Sequence, residues 1–224
     1  MKQRLFFAVF LTVVIAGLPA AEAADPVINE FVFNHTGTDT TEFIEIWGDP
    51  STDYSALTIL EIEGDSTGAG TIDGVFTIGT TGSDGFWFTG FRANQLENGS
   101  VTLLPVENFS GTAGNDLDTD NDGVLDLTPW SRVVDDVAVT DGDSSDRTYA
   151  SVVLAQGFDG VSFTVGGASR IPNGTDTDTT GDWMRNDFDG EGLPGFTGTP
   201  TVGEALNTPD EENESVGAAA DPVI

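Results

Sequence analysis

The chain has no cysteine and few basic residues, with seven Lys and Arg against 38 Asp and Glu in 224 residues. Because no disulfide can form, the fold must be held by a hydrophobic core, or by a core together with bound metal. The 15 Phe and 4 Trp residues can supply such a core.

Histidine is equally scarce, since His35 is the only one and falls in a predicted turn. General base catalysis needs a base that is held by an orienting partner, and no such constellation is visible around His35. Acidic residues are so abundant that any carboxylate pair for glycoside chemistry is unspecific. The sequence therefore favours a non-catalytic role for this segment.

Long apolar runs are absent except at the start of the chain. Lys2 and Arg4 precede an almost wholly apolar stretch from Leu5 to Leu18. Ala21-Glu22-Ala23 then has the small-x-small pattern of a cleavage site. The run is shorter than the about 20 residues that a membrane span needs, which disfavours the alternative of an uncleaved anchor. We predict that residues 1–23 are a Sec-type signal peptide, that the protein is secreted, and that no membrane span remains after cleavage.

Removal of residues 1–23 takes away Lys2, Arg4 and Glu22, so the net charge changes from −31 to −32 and no lysine remains. Such a chain is repelled by phosphate backbones, which bind proteins through Lys and Arg, and by anionic membrane surfaces. We therefore expect no direct binding to a nucleic-acid backbone. The same charge favours binding of divalent cations.

The stretch from Val27 to Trp47 has the pattern of a β-hairpin. Two arms rich in Phe and Ile flank a polar segment, residues 34–41, whose Gly, Thr, Asp and Asn favour a turn. Because alternate residues of a strand face opposite sides, Ile44 and Ile46 are expected to face the core while Glu45 faces water.

Further strand candidates follow the hairpin, each short, rich in β-branched or aromatic residues and bounded by turn residues. They are residues 56–62, 71–78, 85–91, 100–106, 132–139, 148–154 and 160–165. No window has a sustained helical period, although short helical turns are expected near 92–96 and 182–187. This pattern predicts an all-β sandwich with long loops, in which Phe86, Phe88, Val101 and Leu103 face the core.

The hairpin arms also carry a family resemblance. Ile-Asn-Glu-Phe at 28–31, a polar turn and Glu-Phe-Ile-Glu-Ile at 42–46 resemble the opening of a lamin tail domain. Lamin tail domains are immunoglobulin-like β-sandwiches, and bacteria secrete many of them, so the resemblance implies that fold and a bacterial extracellular setting. It extends to about Asn213, through later landmarks at 98–100, 134–138, 169–174 and 207–209.

The predicted domain is a lamin-tail-like sandwich over residues 24–208, with an acidic insert at 107–131 and an acidic, Ala-rich linker at 209–224. Ala-Ala-Asp-Pro-Val-Ile occurs at 23–28 and again at 219–224. Repeats at domain scale usually indicate tandem modules, so the linker is predicted to run into a second copy. The alternative is chance similarity between two Ala-rich segments.

The strongest chemical signal lies inside the acidic insert. Oxygen ligands at alternate positions of a tight loop can converge on one hard cation, and Gly123 permits the sharp turn. With Asp118 counted as the first position, the residues match the ligand positions of an EF-hand loop until the twelfth position, where Pro129 replaces Glu. The loop is therefore more similar to the calcium loops of thrombospondin type 3 repeats and dockerins. The predicted calcium ligands are Asp116, Asp118, Asp120, Asp122, Asp126 and the carbonyl of Val124.

Other readings of the acidic residues stay open. Asp135 or Asp136 is a candidate to complete the calcium shell, and the alternative is a solvated acidic loop without metal. The acidic turns at 141–146 and 176–178 are weaker metal candidates, because Asp and Gly are expected in turns without any ligand.

These observations lead us to expect a non-catalytic, exported, calcium-stabilised lamin-tail-like module for adhesion, anchoring or substrate targeting within a longer secreted protein. Its expected partners are an extracellular ligand or adjacent domains. Similar bacterial domains lie beside secreted nucleases and phosphoesterases, so the alternative is that the segment is part of, or itself, such a metal-dependent enzyme. Against this, metal-assisted hydrolysis often uses a His or Lys, and the mature chain offers only His35.

Overall fold

The computed structural model describes residues 23–217, and this part of the chain is built almost wholly of strands and loops. The helical content of these residues is two single turns of 3-10 helix, Ser66–Gly68 and Thr180–Asp182, and neither is of a length or apolarity to cross a membrane. The all-β prediction is therefore confirmed. Nearly all of the predicted signal peptide at 1–23 and the closing repeat at 219–224 lie outside the described residues.

The strands within residues 23–217 form two sheets. In chain order they are β1 (Val27–Val32), β2 (Phe43–Trp47), β3 (Leu57–Glu63), β4 (Ile72–Thr77), β5 (Phe86–Phe88), β6 (Val101–Glu107), β7 (Arg132–Val133), β8 (Val137–Thr140), β9 (Val153–Ala155), β10 (Gly167–Arg170) and β11 (Trp183–Arg185). The first sheet has the antiparallel order β11-β10-β1-β2-β5. The second has the order β4-β3-β6-β8-β9, with β7 beside β6 and with β8 and β9 parallel.

The predicted hairpin is confirmed, since β1 and β2 pair antiparallel with Phe31 opposite Ile44. The turn between the strands is held by the His35 ring, which lies 3.1 Å from the Thr36 carbonyl and 3.0 Å from the Thr41 hydroxyl. β1 is the central strand of its sheet, so the late strand β10 pairs directly with the opening strand.

The two sheets face each other across one hydrophobic core, and this makes the fold a β-sandwich. The core is formed by alternate side chains of each strand, as the period of two requires. The first sheet supplies Phe31 and Ile46, and the second supplies Ile59, Leu103 and Val139, all of them essentially fully buried.

In β5 the prediction of the core-facing side was wrong. Trp87, paired with the core residue Ile46, packs against the core, whereas Phe88 packs against Phe43 on the opposite face of the sheet. Because alternate residues of a strand share a face, Phe86 lies on that opposite face too.

That opposite, outer face of the first sheet is covered by the C-terminal part of the chain. Glu45 faces away from the core as predicted, but it is fully buried rather than exposed to water. The Asp210 N–H donates to its carboxylate at 2.6 Å. Asn213 is also buried and donates to the Asn29 and Arg170 carbonyls, so the packed chain continues beyond the linker boundary predicted at residue 208.

The outer face of the second sheet is covered by the loop at 108–131, which carries the predicted acidic insert. Leu117 of this loop is buried against Leu60 and Ile62 of β3, and Trp130 packs beside them. Each sheet is therefore sandwiched between the central core and a covering segment without regular secondary structure.

Several predicted strand bounds were wrong. The candidate at 132–139 is two strands, because Asp135 leaves the ladder to accept a hydrogen bond from Ile28 N–H at 2.7 Å. Residues 160–165 are not a strand, and β10 begins after them; β11 lies where a helical turn was expected. Short segments take the conformation that their sheet neighbours offer, which local propensity does not reveal.

Candidate metal centre

The acidic loop at 116–126 is fixed at its base. The Leu117 N–H donates to the Gly70 carbonyl at 2.9 Å, and the Leu117 side chain is buried in the layer outside β3. Asp118 follows directly and packs so closely on Gly70 that a Cβ there would lie 2.6 Å from the Asp118 Cβ. The Asp118 carboxylate is therefore placed by packing and not by its charge.

Asp118 is fully buried and organises the turn that follows it. Its Oδ1 accepts from the Asp122 N–H at 3.1 Å, and its Oδ2 accepts from the Gly123 N–H at 2.9 Å and the Tyr149 hydroxyl at 2.8 Å. Burial favours the protonated acid, but these hydrogen bonds outweigh it and hold the pKa of Asp118 below its ordinary value. The group is ionised and ready to bind a cation at neutral pH.

Three of the predicted ligands converge. One carboxylate oxygen from each of Asp118, Asp120 and Asp126 lies within 4.8 Å of the other two. Gly123 takes φ = +91°, a left-handed conformation that glycine adopts freely, and so lets the loop reverse between Asp120 and Asp126. The nearby charge of Asp122 raises the pKa of Asp120, as expected where like charges are brought together without a counterion.

Asp116 and Asp122, two further predicted ligands, are not members of this group. Asp116 Oδ1 accepts from the Asp118 N–H at 3.1 Å, and Asp122 Oδ1 accepts from the Val124 N–H at 2.8 Å. The Val124 side chain is largely exposed, and its predicted ligand atom is the backbone carbonyl. Asp116 and Asp122 thus shape the loop through local backbone contacts.

Asp135 and Asp136, the candidates to close the metal shell, are engaged elsewhere. Asp135 forms an ion pair with Arg170 at 3.1 Å, and Asp136 accepts from the Ser151 N–H at 2.6 Å. Arg147 anchors the acidic loop, because its Nε donates to the Asn121 carbonyl at 2.8 Å.

The donor set of the loop fits calcium. Calcium takes six to eight oxygen ligands, including carboxylates, backbone carbonyls and water, in a flexible geometry. Asp118, Asp120 and Asp126 offer three convergent carboxylates, and the two outer ones are exposed, which leaves room for water ligands. Magnesium is less suited, because it demands a smaller and stricter octahedron.

Two further carboxylate groups form among the described residues. Asp141 and Asp146 of the weaker acidic turn converge with Asp65, whereas Asp143 instead accepts from the Ser145 N–H. The other group joins Glu63 of β3, Asp73 of β4 and Glu97 of a loop. The sequence indicated the turn at 141–146 but not Asp65, and it gave no sign of the Glu63 group, because the members of these groups come from separate elements.

Ser66 and His35, the residues that could form a nucleophile–base pair, are engaged elsewhere. Residues 64–68 have the Gly-x-Ser-x-Gly pattern that places a serine nucleophile in some hydrolases. Ser66, however, shares a hydrogen bond with the Ser145 hydroxyl, and His35 directs its ring nitrogens to Thr36 and Thr41. Ser66 and His35 therefore stabilise separate turns.

Comparisons of the chain with protein-family models, with curated proteins and with solved structures found no match. The functional assignment therefore depends on the donor atoms of the site and on the residues that carry the lamin-tail resemblance.

Proposed function

We propose that this chain is a non-catalytic, calcium-stabilised module of the lamin-tail type, exported as part of a longer secreted protein and used there for adhesion, anchoring or substrate targeting. Its partners are an extracellular ligand or the domains beside it. The observation that carries the proposal is the convergence of Asp118, Asp120 and Asp126 within 4.8 Å, on a loop whose Leu117 is buried against the sandwich.

That placement gives bound calcium a structural task. A cation bound by Asp118, Asp120 and Asp126 fixes the conformation of the loop that covers the outer face of β3. It also relieves the electrostatic repulsion among the three carboxylates. A metal that binds only the folded protein stabilises it by RT ln(1 + [L]/Kd). Extracellular modules bind calcium with Kd of about 0.1–1 mM, so a few millimolar calcium is expected to contribute about 1 kcal/mol or more.

The segments that carry the lamin-tail resemblance meet in space. Arg170, from the landmark at 169–174, donates from Nε to the carbonyl of Ile28 in the opening motif, at 2.8 Å. It also pairs with Asp135 of the landmark at 134–138. Thr208, from the last landmark, donates to Glu30. Four segments far apart in sequence thus build one buried polar network.

Thermal melts with calcium, with magnesium and with a chelator test the proposal. Calcium is expected to raise the melting temperature of the parent protein more than magnesium does. Asp120→Ala is expected to remove most of that gain, whereas Glu212→Gln, a matched loss of one exposed charge, retains it. If the three melts coincide and the Asp120 variant behaves as the parent in each, the loop is a solvated acidic turn.

An enzymatic assay tests the non-catalytic part separately. The purified protein is incubated with a generic phosphodiester substrate and calcium, magnesium or manganese, and no turnover is expected. Metal-dependent turnover that disappears in Asp120→Ala would instead identify the segment as a nuclease or phosphoesterase.

A further inference from the structure

A second group of acids is formed by β3, β4 and the loop before β6, and shares no member with the loop at 116–126. Along β3 the side chains of Leu57 and Ile59 face the central core. The period of two places Glu61 and Glu63 on the same face, so the side chains on this face change from apolar to acidic at the end of the core. Glu61 is nevertheless fully buried.

The neighbouring strand β4 is irregular at this point. Glu61 pairs with Gly74 and Ile62 pairs with Ile72, so Asp73 is an extra residue in the ladder. Such bulges re-aim side chains and are frequent beside functional sites. Here Asp73 joins Glu63 and Glu97, with one carboxylate oxygen of each lying within 4.8 Å of the others.

The Glu61 carboxylate lies beside this group, since the charges of Asp73 and Glu97 add to the burial that raises its pKa. Its Oε1 accepts from the Glu97 N–H at 2.6 Å, whereas its Oε2 is buried and has no hydrogen-bond partner among the described residues. That Oε2 lies 2.5 Å from the position of a Cβ on Gly74, the residue next to Asp73. Glycine at 74 therefore leaves the room that the free oxygen occupies.

No basic side chain neutralises these acids, since none of the ion pairs within residues 23–217 includes Glu61, Glu63, Asp73 or Glu97. A buried carboxylate without a partner is expensive unless it is protonated or coordinates a metal. Burial raises the pKa of Glu61 to about 8, so uptake of a proton is the alternative to uptake of a cation.

We propose that Glu61, Glu63, Asp73 and Glu97 form a second calcium site, separate from the aspartate loop. Carboxylate oxygens are the ligands that calcium prefers, and four of these groups exceed the charge of one divalent ion. Glu63 and Glu97 are only partly buried and Asp73 is exposed, so these three ligands are accessible to an ion from solvent. Bound there, calcium ties the loop before β6 to the β3–β4 pair.

This site does not depend on calcium binding by the aspartate loop, and calorimetric titration with calcium separates the two. Asp120→Ala removes the loop site and is expected to leave one calcium bound by the acids around Glu61. Adding Glu61→Gln or Glu97→Gln to Asp120→Ala is expected to abolish that binding. Glu212→Gln in the same background serves as the control, because it removes one exposed charge and leaves both groups of ligands intact.

The calcium-free stability of the Glu61 variant provides a second readout. Above a pH of about 8, where Glu61 is ionised in the absence of calcium, Glu61→Gln keeps an oxygen for the Glu97 N–H and replaces a repelled charge with an amide donor, so its melting temperature in chelator at that pH is expected to rise. A variant that loses calcium because it is misfolded would instead melt lower. The proposal is overturned if Asp120→Ala alone binds no calcium, or if the Glu61 and Glu97 double variants titrate as Asp120→Ala does. If Asp120→Ala binds as much calcium as the parent, the loop site fails and this one stands.

Discussion

Glu30 and Glu45 lie opposite each other on β1 and β2, and both side chains are fully buried. Glu30 accepts hydrogen bonds from Asn186 at 2.7 Å and from the Thr208 N–H at 3.0 Å, while Glu45 accepts from the Asp210 N–H. Burial raises the pKa of Glu30 to about 7. Burial, with the added charge of Glu30, raises the pKa of Glu45 well above its ordinary value.

The first prediction is that stability without calcium falls as the pH rises. The folded protein holds protons on these acids that the unfolded chain releases near its ordinary value of 4.5, so stability is full below that pH and declines as the pH passes the folded pKa. For Glu30 alone the decline reaches at most about 3.5 kcal/mol, at about 1.4 kcal/mol per pKa unit. Denaturant unfolding in chelator at pH 5 and pH 8 measures it.

Glu45→Gln isolates the contribution of the pair. The amide cannot ionise, so the difference in stability between pH 5 and pH 8 is expected to become smaller in this variant. Glu212→Gln, which changes an exposed side chain, is expected to keep the full difference. An unchanged pH dependence in Glu45→Gln would mean that other acids, and not this pair, hold the protons.

The same pair shows what the sequence could and could not predict. Alternation correctly separated Ile44 and Ile46 from Glu45 on the two faces of β2, because the side-chain period of a strand is local. Whether the outer face of β2 is exposed to water depends on distant parts of the chain. Glu45 is covered by residues more than 160 positions later in the chain, and that segment has no periodic pattern that would indicate its packing.

The candidate metal ligands divide in the same way. Asp118, Asp120 and Asp126 could be predicted because a single loop places them, so their spacing in sequence determines their spacing in the structure. Glu63, Asp73 and Glu97 could not, because a ladder irregularity and a separate loop bring them together.

The second prediction concerns the turn of the metal loop. Gly123 has φ = +91°, and a Cβ there would lie 3.0 Å from the Arg147 Cδ. Gly123→Val is therefore expected to destabilise the protein by about 1–3 kcal/mol through backbone strain, and to reduce the gain in melting temperature with calcium although it removes no ligand. Gly198→Val is the matched control, because Gly198 lacks a positive φ and contacts little. A full calcium gain in Gly123→Val would show that the ligands converge without this turn.

The third prediction concerns the buried ion pair between Arg170 and Asp135, whose Nη2 and Oδ1 atoms are 3.1 Å apart. Arg170→Met leaves Asp135 buried without its partner, which is expected to cost about 3–5 kcal/mol. Adding Asp135→Asn removes the stranded charge, so the double variant is expected to lose less than the sum of the single losses. Arg132→Ala breaks the exposed pair with Asp25 and is expected to cost no more than about 1 kcal/mol.

Urea unfolding of the parent, Arg170→Met, Asp135→Asn and the double variant gives the coupling between Arg170 and Asp135 directly. Additive losses would contradict the pairing, since residues in contact must show an interaction energy.

The fourth prediction places the end of the packed domain. A chain that stops at Thr208 loses the Asp210 N–H that donates to Glu45 and the Asn213 amide that donates to the carbonyls of Asn29 and Arg170 at 3.1 and 2.9 Å. Each buried acceptor left without a donor is expected to cost about 1–3 kcal/mol.

The truncation at Thr208 is therefore expected to melt well below a chain that stops at Gly217, which keeps all of these contacts. Asn213→Ala in the longer chain separates the amide from the rest of the segment and is expected to fall between the two, because it removes two donors and leaves the Asp210 N–H in place. Proteolysis followed by mass spectrometry gives an independent boundary: cleavage is expected after residue 213 and not between 208 and 213. If the two truncated chains melt together, residues 209–217 form a linker, and the acids of β1 and β2 tolerate exposure.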